Sequence, residues 1–117
     1  MQDFRKLEVW RRSHQFVLHV YRISRQLPAE ERFGPSSQIR RAASSIPANI
    51  AEGCGRRGRT ELRQFLQMSM GSASELEYLL LLARDLQMID APKHREAEEE
   101  LIEIKRMLAG LLQRLGP

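Results

Sequence analysis

The spacing of apolar residues is the feature that most restricts how this chain can fold. Between clusters of proline and glycine, apolar side chains recur at intervals of three and four, without a useful length of alternating apolar and polar residues. This spacing puts apolar side chains on one face of an α-helix, whereas a strand has a period of two. The breaks at 27–28, 33–36, 53–58 and 90–92 therefore predict four helices, at about 4–27, 36–52, 60–88 and 93–115.

Four helices with short connections predict an all-α fold, an antiparallel up-down four-helix bundle that spans residues 1–117 as one domain. A chain of 117 residues can bury one core but not two. Its 42% hydrophobic and 29% charged residues exclude the intrinsically disordered class. The longest wholly apolar run, at 79–83, is far shorter than the roughly 20 residues of a membrane span, so we expect no membrane partner.

The first predicted helix carries more apolar surface than one bundle core needs. One apolar stripe consists of Leu7, Trp10, Val17, Leu18 and Tyr21. A second stripe lies beside it and ends at Leu27. Together the stripes cover more than half of the helix circumference, which predicts that another copy of this chain packs against one of them. The residues expected at this oligomer interface belong to the second stripe: Val9, Phe16, Val20 and Ile23.

The second and third predicted helices contain residues that are unusual inside helices. Pro47 removes a backbone hydrogen bond and is expected to kink the second helix, with Ser44 and Ser45 as donors to the freed carbonyl groups. Asn49 lies beside the core stripe and is expected to be structural, although a solvated position is the alternative. Gly71 lowers the stability of the third helix by roughly 1 kcal/mol relative to alanine. Because a close contact with a neighbouring helix would explain a glycine at this position, we expect such a contact there.

Charge is divided unevenly along the chain, whose net charge is +4. Residues 1–63 contain 13 Lys and Arg against 6 Asp and Glu, whereas residues 64–117 contain 6 against 9. A basic half suits an RNA or DNA backbone, but two solvated faces would explain the same pattern. The predicted nucleic-acid contacts are Arg40, Arg41, Arg56, Arg57 and Arg59. Secondary candidates on the polar side of the first helix are Arg11, Arg12 and Arg22.

The segment 53–59 (GCGRRGR) places three of these arginines just before the third predicted helix. Free N–H groups at a helix start and arginine side chains can together bind phosphate. The segment is not a nucleotide-binding fingerprint, because no Gly-Lys-Ser/Thr follows it and no strand precedes it. The alternative is a helix-ending glycine turn with solvated arginines.

Residues that could support catalysis are few. Cys54 lies beside arginines that would favour its thiolate, but the histidines give it no evident partner. We therefore assign no catalytic residue and expect that the protein is not an enzyme. A single cysteine also excludes an internal disulfide and is typical of the reducing cytoplasm.

Metal ligands are not expected from the spacing of the remaining polar residues. His14 falls on the apolar side of the first helix, as a core or interface residue, and His19 falls on its polar side. Because they are five residues apart, they do not present one site. No Glu-x-x-His pair occurs. The fourth predicted helix has an apolar seam that consists of Ala97, Leu101, Ile104, Leu108, Leu111 and Leu115. A group of glutamates shares the opposite face, which predicts a solvated acidic face: Glu96, Glu99, Glu100 and Glu103. We therefore expect no metal and no cofactor.

Several stretches carry a resemblance to a known family. They are 3–10 (DFRKLEVW), 37–53 (SQIRRAASSIPANIAEG), 55–56 (GR), 65–66 (FL) and 71–77 (GSASELE), of which SIPANIAEG is specific. Across nearly residues 1–90 the chain resembles the four-helix bundle proteins encoded in intervening sequences of 23S ribosomal RNA genes. The resemblance implies an antiparallel bundle that assembles into a homopentameric ring. It also implies a distant relative, the accessory variability determinant of diversity-generating retroelements, which binds nucleic acid and joins a reverse transcriptase.

Together these observations favour a non-enzymatic, homo-oligomeric bundle that binds nucleic acid, RNA rather than DNA, through an arginine-rich surface. The rival hypothesis is a protein-interaction scaffold, or an accessory subunit of a nucleic-acid enzyme such as a reverse transcriptase.

Overall fold

Within the residues that the structure describes, the chain forms four α-helices, which pack in chain order and close with a contact between the last helix and the first. The computed structural model describes residues 2–27 and 34–116, and neither stretch contains a strand. None of the helices in these stretches combines the length and apolar content needed to cross a bilayer. The elements are a 3₁₀ turn at Phe4–Lys6, then α1 (Glu8–Ser24), α2 (Pro35–Cys54), α3 (Arg59–Asp85) and α4 (Ala91–Leu115).

The ends of the helices refine the sequence prediction. Leu7 is extended, with φ −86° and ψ 126°, so the 3₁₀ turn and α1 are separate elements rather than one helix. Helix α2 ends later than predicted, and Gly53 is therefore helical. Asp90 is the N-cap of α4, and its side chain accepts a hydrogen bond from the Lys93 backbone N–H at 2.8 Å. Residues 28–33, which include parts of the first two predicted breaks, lie outside the described residues.

The side of α1 that builds the core is the one predicted to face another copy. Val9, Phe16, Val20 and Ile23 are 5%, 1%, 0% and 6% exposed within a single chain. Their prediction as oligomer-interface residues is wrong, because the neighbouring helices of the same chain already cover them. In the other stripe only Leu18 and Tyr21 are exposed, at 47% and 37%, while Leu7, Trp10 and Val17 are partly buried against the core.

Helices α2 and α3 approach each other closely at Gly53. A Cβ atom added there would lie 2.8 Å from the Phe65 Cβ and 3.1 Å from the Leu62 Cδ1. A Cβ atom added at Gly71 would meet no described atom within 4 Å outside its own stretch of helix. The close contact predicted at Gly71 is therefore wrong, and the small residue that permits the approach is Gly53.

Helix α2 continues through Pro47 without a break. The freed carbonyl belongs to the residue four positions earlier. The hydroxyl groups of Ser44 and Ser45 both donate to the Arg41 carbonyl instead, at 3.2 and 2.8 Å. The expectation that these serines serve the carbonyl freed by Pro47 is therefore not met.

Two other polar side chains lie close to this proline. Ser69 of α3 is buried, and its hydroxyl donates to the Ile46 carbonyl of α2 at 2.9 Å. Asn49 is half-buried, and its side-chain amide donates to the Ser45 carbonyl at 2.9 Å. Ser69 therefore fixes α3 to α2, while Asn49 bonds within α2.

Candidate nucleic-acid interface

The five predicted arginine contacts form two separate groups. Arg40 and Arg41 lie in the first two turns of α2, whereas Arg56, Arg57 and Arg59 surround the turn between α2 and α3. At 1.5 Å per residue, α2 extends roughly 20 Å from the first group to its C-terminal end. The structure therefore does not combine all five arginines into one site.

The first group is occupied by contacts between helices. The Arg40 Nε donates to the Ser24 hydroxyl at 2.6 Å, and its guanidinium lies 5.1 Å from the centroid of the Tyr21 ring. Arg41 forms an ion pair with Glu75 of α3 at 3.1 Å. A phosphate would have to compete with these contacts, which makes both residues weaker candidates than the sequence indicated.

Two arginines of the second group also have partners within the chain. Arg56 lies 3.2 Å from the Glu52 carboxylate, and its guanidinium stacks 5.0 Å from the centroid of the Phe65 ring. Arg59 donates to the Leu115 carbonyl at 3.4 Å. That carbonyl belongs to the last turn of α4, where unpaired carbonyl groups and the helix dipole attract a cation.

Arg57 is the member of the second group that is free to meet a ligand. It is exposed and forms no hydrogen bond or ion pair with the part of the chain that the structure describes. The next residue, Gly58, is the N-cap of α3 and offers no side chain to the first-turn N–H groups. A small cavity of about 130 Å³ lies at this turn, between the arginines and Gln2.

Cys54 is the last residue of α2, next to this turn, and has the character of a structural thiol. It is 1% exposed, and burial raises the pKa of its thiol. The neighbouring arginines therefore do not produce a reactive thiolate, contrary to what their position in the sequence suggested.

A second polar cleft, of about 390 Å³, lies between α1 and α4. His19 of α1 extends between two glutamates of α4, with its Nδ1 3.2 Å from the Glu100 Oε1 and its Nε2 3.8 Å from the Glu96 Oε1. The pattern of any single helix does not reveal this cluster. The polar face of α1 and the acidic face of α4 meet only when the bundle forms.

His14 is not a core residue, although its position on α1 suggested a core or interface role. Its ring is exposed and stacks on Trp10, with ring centroids 5.1 Å apart and planes 7° from parallel. His14 does not line the cleft that contains His19.

Comparisons with known proteins agree with this fold. A crystal structure from Bacteroides thetaiotaomicron, described as a protein with unknown function from the S23 ribosomal protein family, superposes with a TM-score of 0.84. The two sequences are 26% identical, and the match covers 90% of this chain and 95% of the other. No curated protein matches the chain.

The sequence also matches a family profile described as 23S rRNA-intervening sequence protein, over residues 5–110. This range contains α1, α2 and α3 completely, together with most of α4. The chain therefore belongs to the family of 23S rRNA-intervening sequence proteins.

Proposed function

We propose that the protein is a non-enzymatic, homo-oligomeric bundle that binds the backbone of RNA or DNA at the turn between α2 and α3. The observation that carries this proposal is Arg57, an exposed guanidinium beside the uncapped first turn of α3. Backbone N–H groups and an arginine together suit a phosphate group. Arg56 and Arg59, on either side, add positive charge although each already has a partner.

Such a site would recognise the charge of the phosphate backbone and not the identity of the bases. An aromatic ring beside this turn, Phe65 of α3, is stacked with Arg56 and is half-buried, so it does not offer a free stacking surface. Binding would then depend strongly on salt, since each phosphate contact releases counterions from the nucleic acid.

Assembly of several copies would strengthen these weak contacts. The outer stripe of α1 contains exposed Leu18 and Tyr21 beside half-buried Trp10 and Val17, and a second copy would cover it. A closed ring, with five copies as the resemblance implies, would repeat the turn around one rim. Avidity would then multiply the effect of each arginine.

The experiment is a binding titration of a structured RNA and of a DNA duplex at several salt concentrations. A triple variant, Arg56→Gln, Arg57→Gln and Arg59→Gln, is expected to bind both ligands more weakly. Its slope of log affinity against log salt should be flatter by about 2–3, as expected for three lost phosphate contacts. Arg57→Gln alone should reproduce about a third of the change.

A control triple variant removes the same amount of charge from the opposite end of the bundle: Arg84→Gln, Lys93→Gln and Arg95→Gln. It should lower affinity less and leave the salt slope closer to that of the parent. Equal effects of the two triple variants would show that only net charge matters and would overturn the turn as the site. A parent that binds neither ligand at low salt would overturn nucleic-acid binding.

A second candidate function is a protein-interaction scaffold. It is favoured by large apolar side chains that are exposed on α3 and α4: Tyr78 at 60%, and Leu81 and Ile102 at 37% each. Under this hypothesis Tyr78→Lys would abolish capture of a protein partner and leave nucleic-acid binding unchanged.

A further inference from the structure

We propose that His19, Glu96 and Glu100 bind one divalent transition-metal ion in the cleft between α1 and α4. The inference is independent of nucleic-acid binding, because the cleft and the turn between α2 and α3 share no lining residue.

The distances between the three side chains suit a metal ion. Each residue offers one ligand atom, and the three ligand atoms lie within 4.8 Å of one another. When an ion is coordinated tetrahedrally with metal–ligand bonds of about 2.0–2.2 Å, its ligand atoms lie roughly 3.3–3.6 Å apart. The separation of 3.2 Å between the His19 Nδ1 and the Glu100 Oε1 is just below this range. The longer separations, up to 4.8 Å, would have to shorten by side-chain rotation when an ion binds.

The ligands come from two helices, and His19 is the least exposed of them, since the Glu96 and Glu100 side chains are 68% and 41% exposed. Glu96 and Glu100 are four residues apart on α4, so they project from the same face. The His19 side chain is only 20% exposed, and its ring packs edge-on against Phe16, with centroids 6.3 Å apart. The imidazole is therefore directed into the cleft by the core itself, and an ion bound there would link α1 to α4.

The chemistry of the ligands selects the class of ion. One imidazole nitrogen and two carboxylate oxygens suit Zn²⁺ and similar first-row ions, whereas Mg²⁺ and Ca²⁺ prefer sites made entirely of oxygen. Three protein ligands leave one position open to water, and the cleft has room for it.

The charges around the cleft set an expectation for affinity. Two carboxylates balance a divalent ion, but Arg12 and Arg22 line the same cleft. Because their positive charges oppose a cation, binding should be micromolar rather than nanomolar, and removal of either arginine should tighten it.

The test is a calorimetric titration of Zn²⁺ into the full-length, tag-free chain after treatment with a chelator. We expect one ion for each chain. His19→Gln and Glu100→Gln should each weaken binding at least tenfold, and Arg12→Gln should strengthen it severalfold. The matched control is His14→Gln, an exposed histidine of the same helix that does not line the cleft, and it should bind Zn²⁺ as the parent does.

A second measurement is the melting temperature with and without Zn²⁺. Zn²⁺ should raise the melting temperature of the parent and of His14→Gln, but not that of Glu100→Gln. The reason is that a ligand that binds only the folded chain stabilises the folded state. The proposal is overturned if the parent shows no saturable binding up to millimolar Zn²⁺, or if His14→Gln loses as much affinity as His19→Gln. It is also overturned if Ca²⁺ binds as tightly as Zn²⁺.

Discussion

Two glycines inside helices lead to opposite expectations for substitution by alanine. Gly53→Ala places a Cβ atom 2.8 Å from the Phe65 Cβ, which should lower the free energy of unfolding by about 1–3 kcal/mol through overpacking. In Gly71→Ala the added Cβ atom would meet open space. This substitution should raise the free energy of unfolding by up to about 1 kcal/mol, the usual preference of helices for alanine. Urea unfolding at one protein concentration measures both. Stabilisation by both substitutions would contradict the close approach at Gly53.

The Cys54 thiol should be unreactive in the folded protein. Because burial raises its pKa, the native state favours the protonated thiol. The stability is therefore fully present below the pKa of the thiol in the unfolded chain and is lost as the pH rises from there through the native-state pKa. At pH 8 we expect slow reaction with a disulfide reagent, which becomes fast in urea. Equally fast labelling in both conditions would show that the side chain is accessible in the native state.

The sequence identifies glycine, cysteine and arginine at these positions but not the atoms around them. Gly53 and Gly71 have the same intrinsic cost in a helix, and only the path of α3 past α2 makes one of them essential. Likewise, arginines beside a cysteine in the sequence favour a thiolate, whereas burial of Cys54 has the opposite and larger effect.

At the scale of helices, Ser69 provides a buried hydrogen bond from α3 to α2 whose loss should weaken the contact between them. Ser69→Ala removes the hydrogen bond to the Ile46 carbonyl and should lower the free energy of unfolding by about 1 kcal/mol. Ser74→Ala, an exposed position on the same helix, gains the same helix propensity without that loss and serves as the control. The difference between the two variants in urea unfolding isolates the contact. No difference would show that water replaces the bond.

The periodicity predicts the helices and the buried faces of α2, α3 and α4, but for α1 it does not predict which face is covered. Helix α1 has two adjacent stripes of similar hydrophobicity, and both satisfy the rules for a core-facing helix. The choice of Val9, Phe16 and Val20 for the core depends on where α2 and α4 lie, which no local pattern contains. For the same reason His19 could not be paired with Glu100 in advance.

At the scale of the whole molecule, the up-down topology explains why the arginine surface is smaller than the sequence indicated. The described part of the chain extends 43 Å along its long axis and only about half of that across it. Helix α2 runs along this axis, so arginines at its two ends lie far apart although the sequence groups them in one basic half. Total charge is thus predictable from composition, whereas its concentration at one site is not.

Assembly is the property of the whole molecule that the outer stripe of α1 predicts. Leu18 and Tyr21 are 47% and 37% exposed, and a second copy is the partner that would cover them in a ring of identical subunits. Light scattering of the parent at micromolar concentration should therefore show an oligomer. Leu18→Lys should dissociate the oligomer without unfolding the chain, because this side chain lies outside the core.

The control for this prediction is Leu86→Lys. It changes a leucine of similar exposure, 52%, at the end of α3 and should leave the oligomer intact. A monomeric parent, or an oligomer that survives Leu18→Lys but not Leu86→Lys, would contradict assembly through α1.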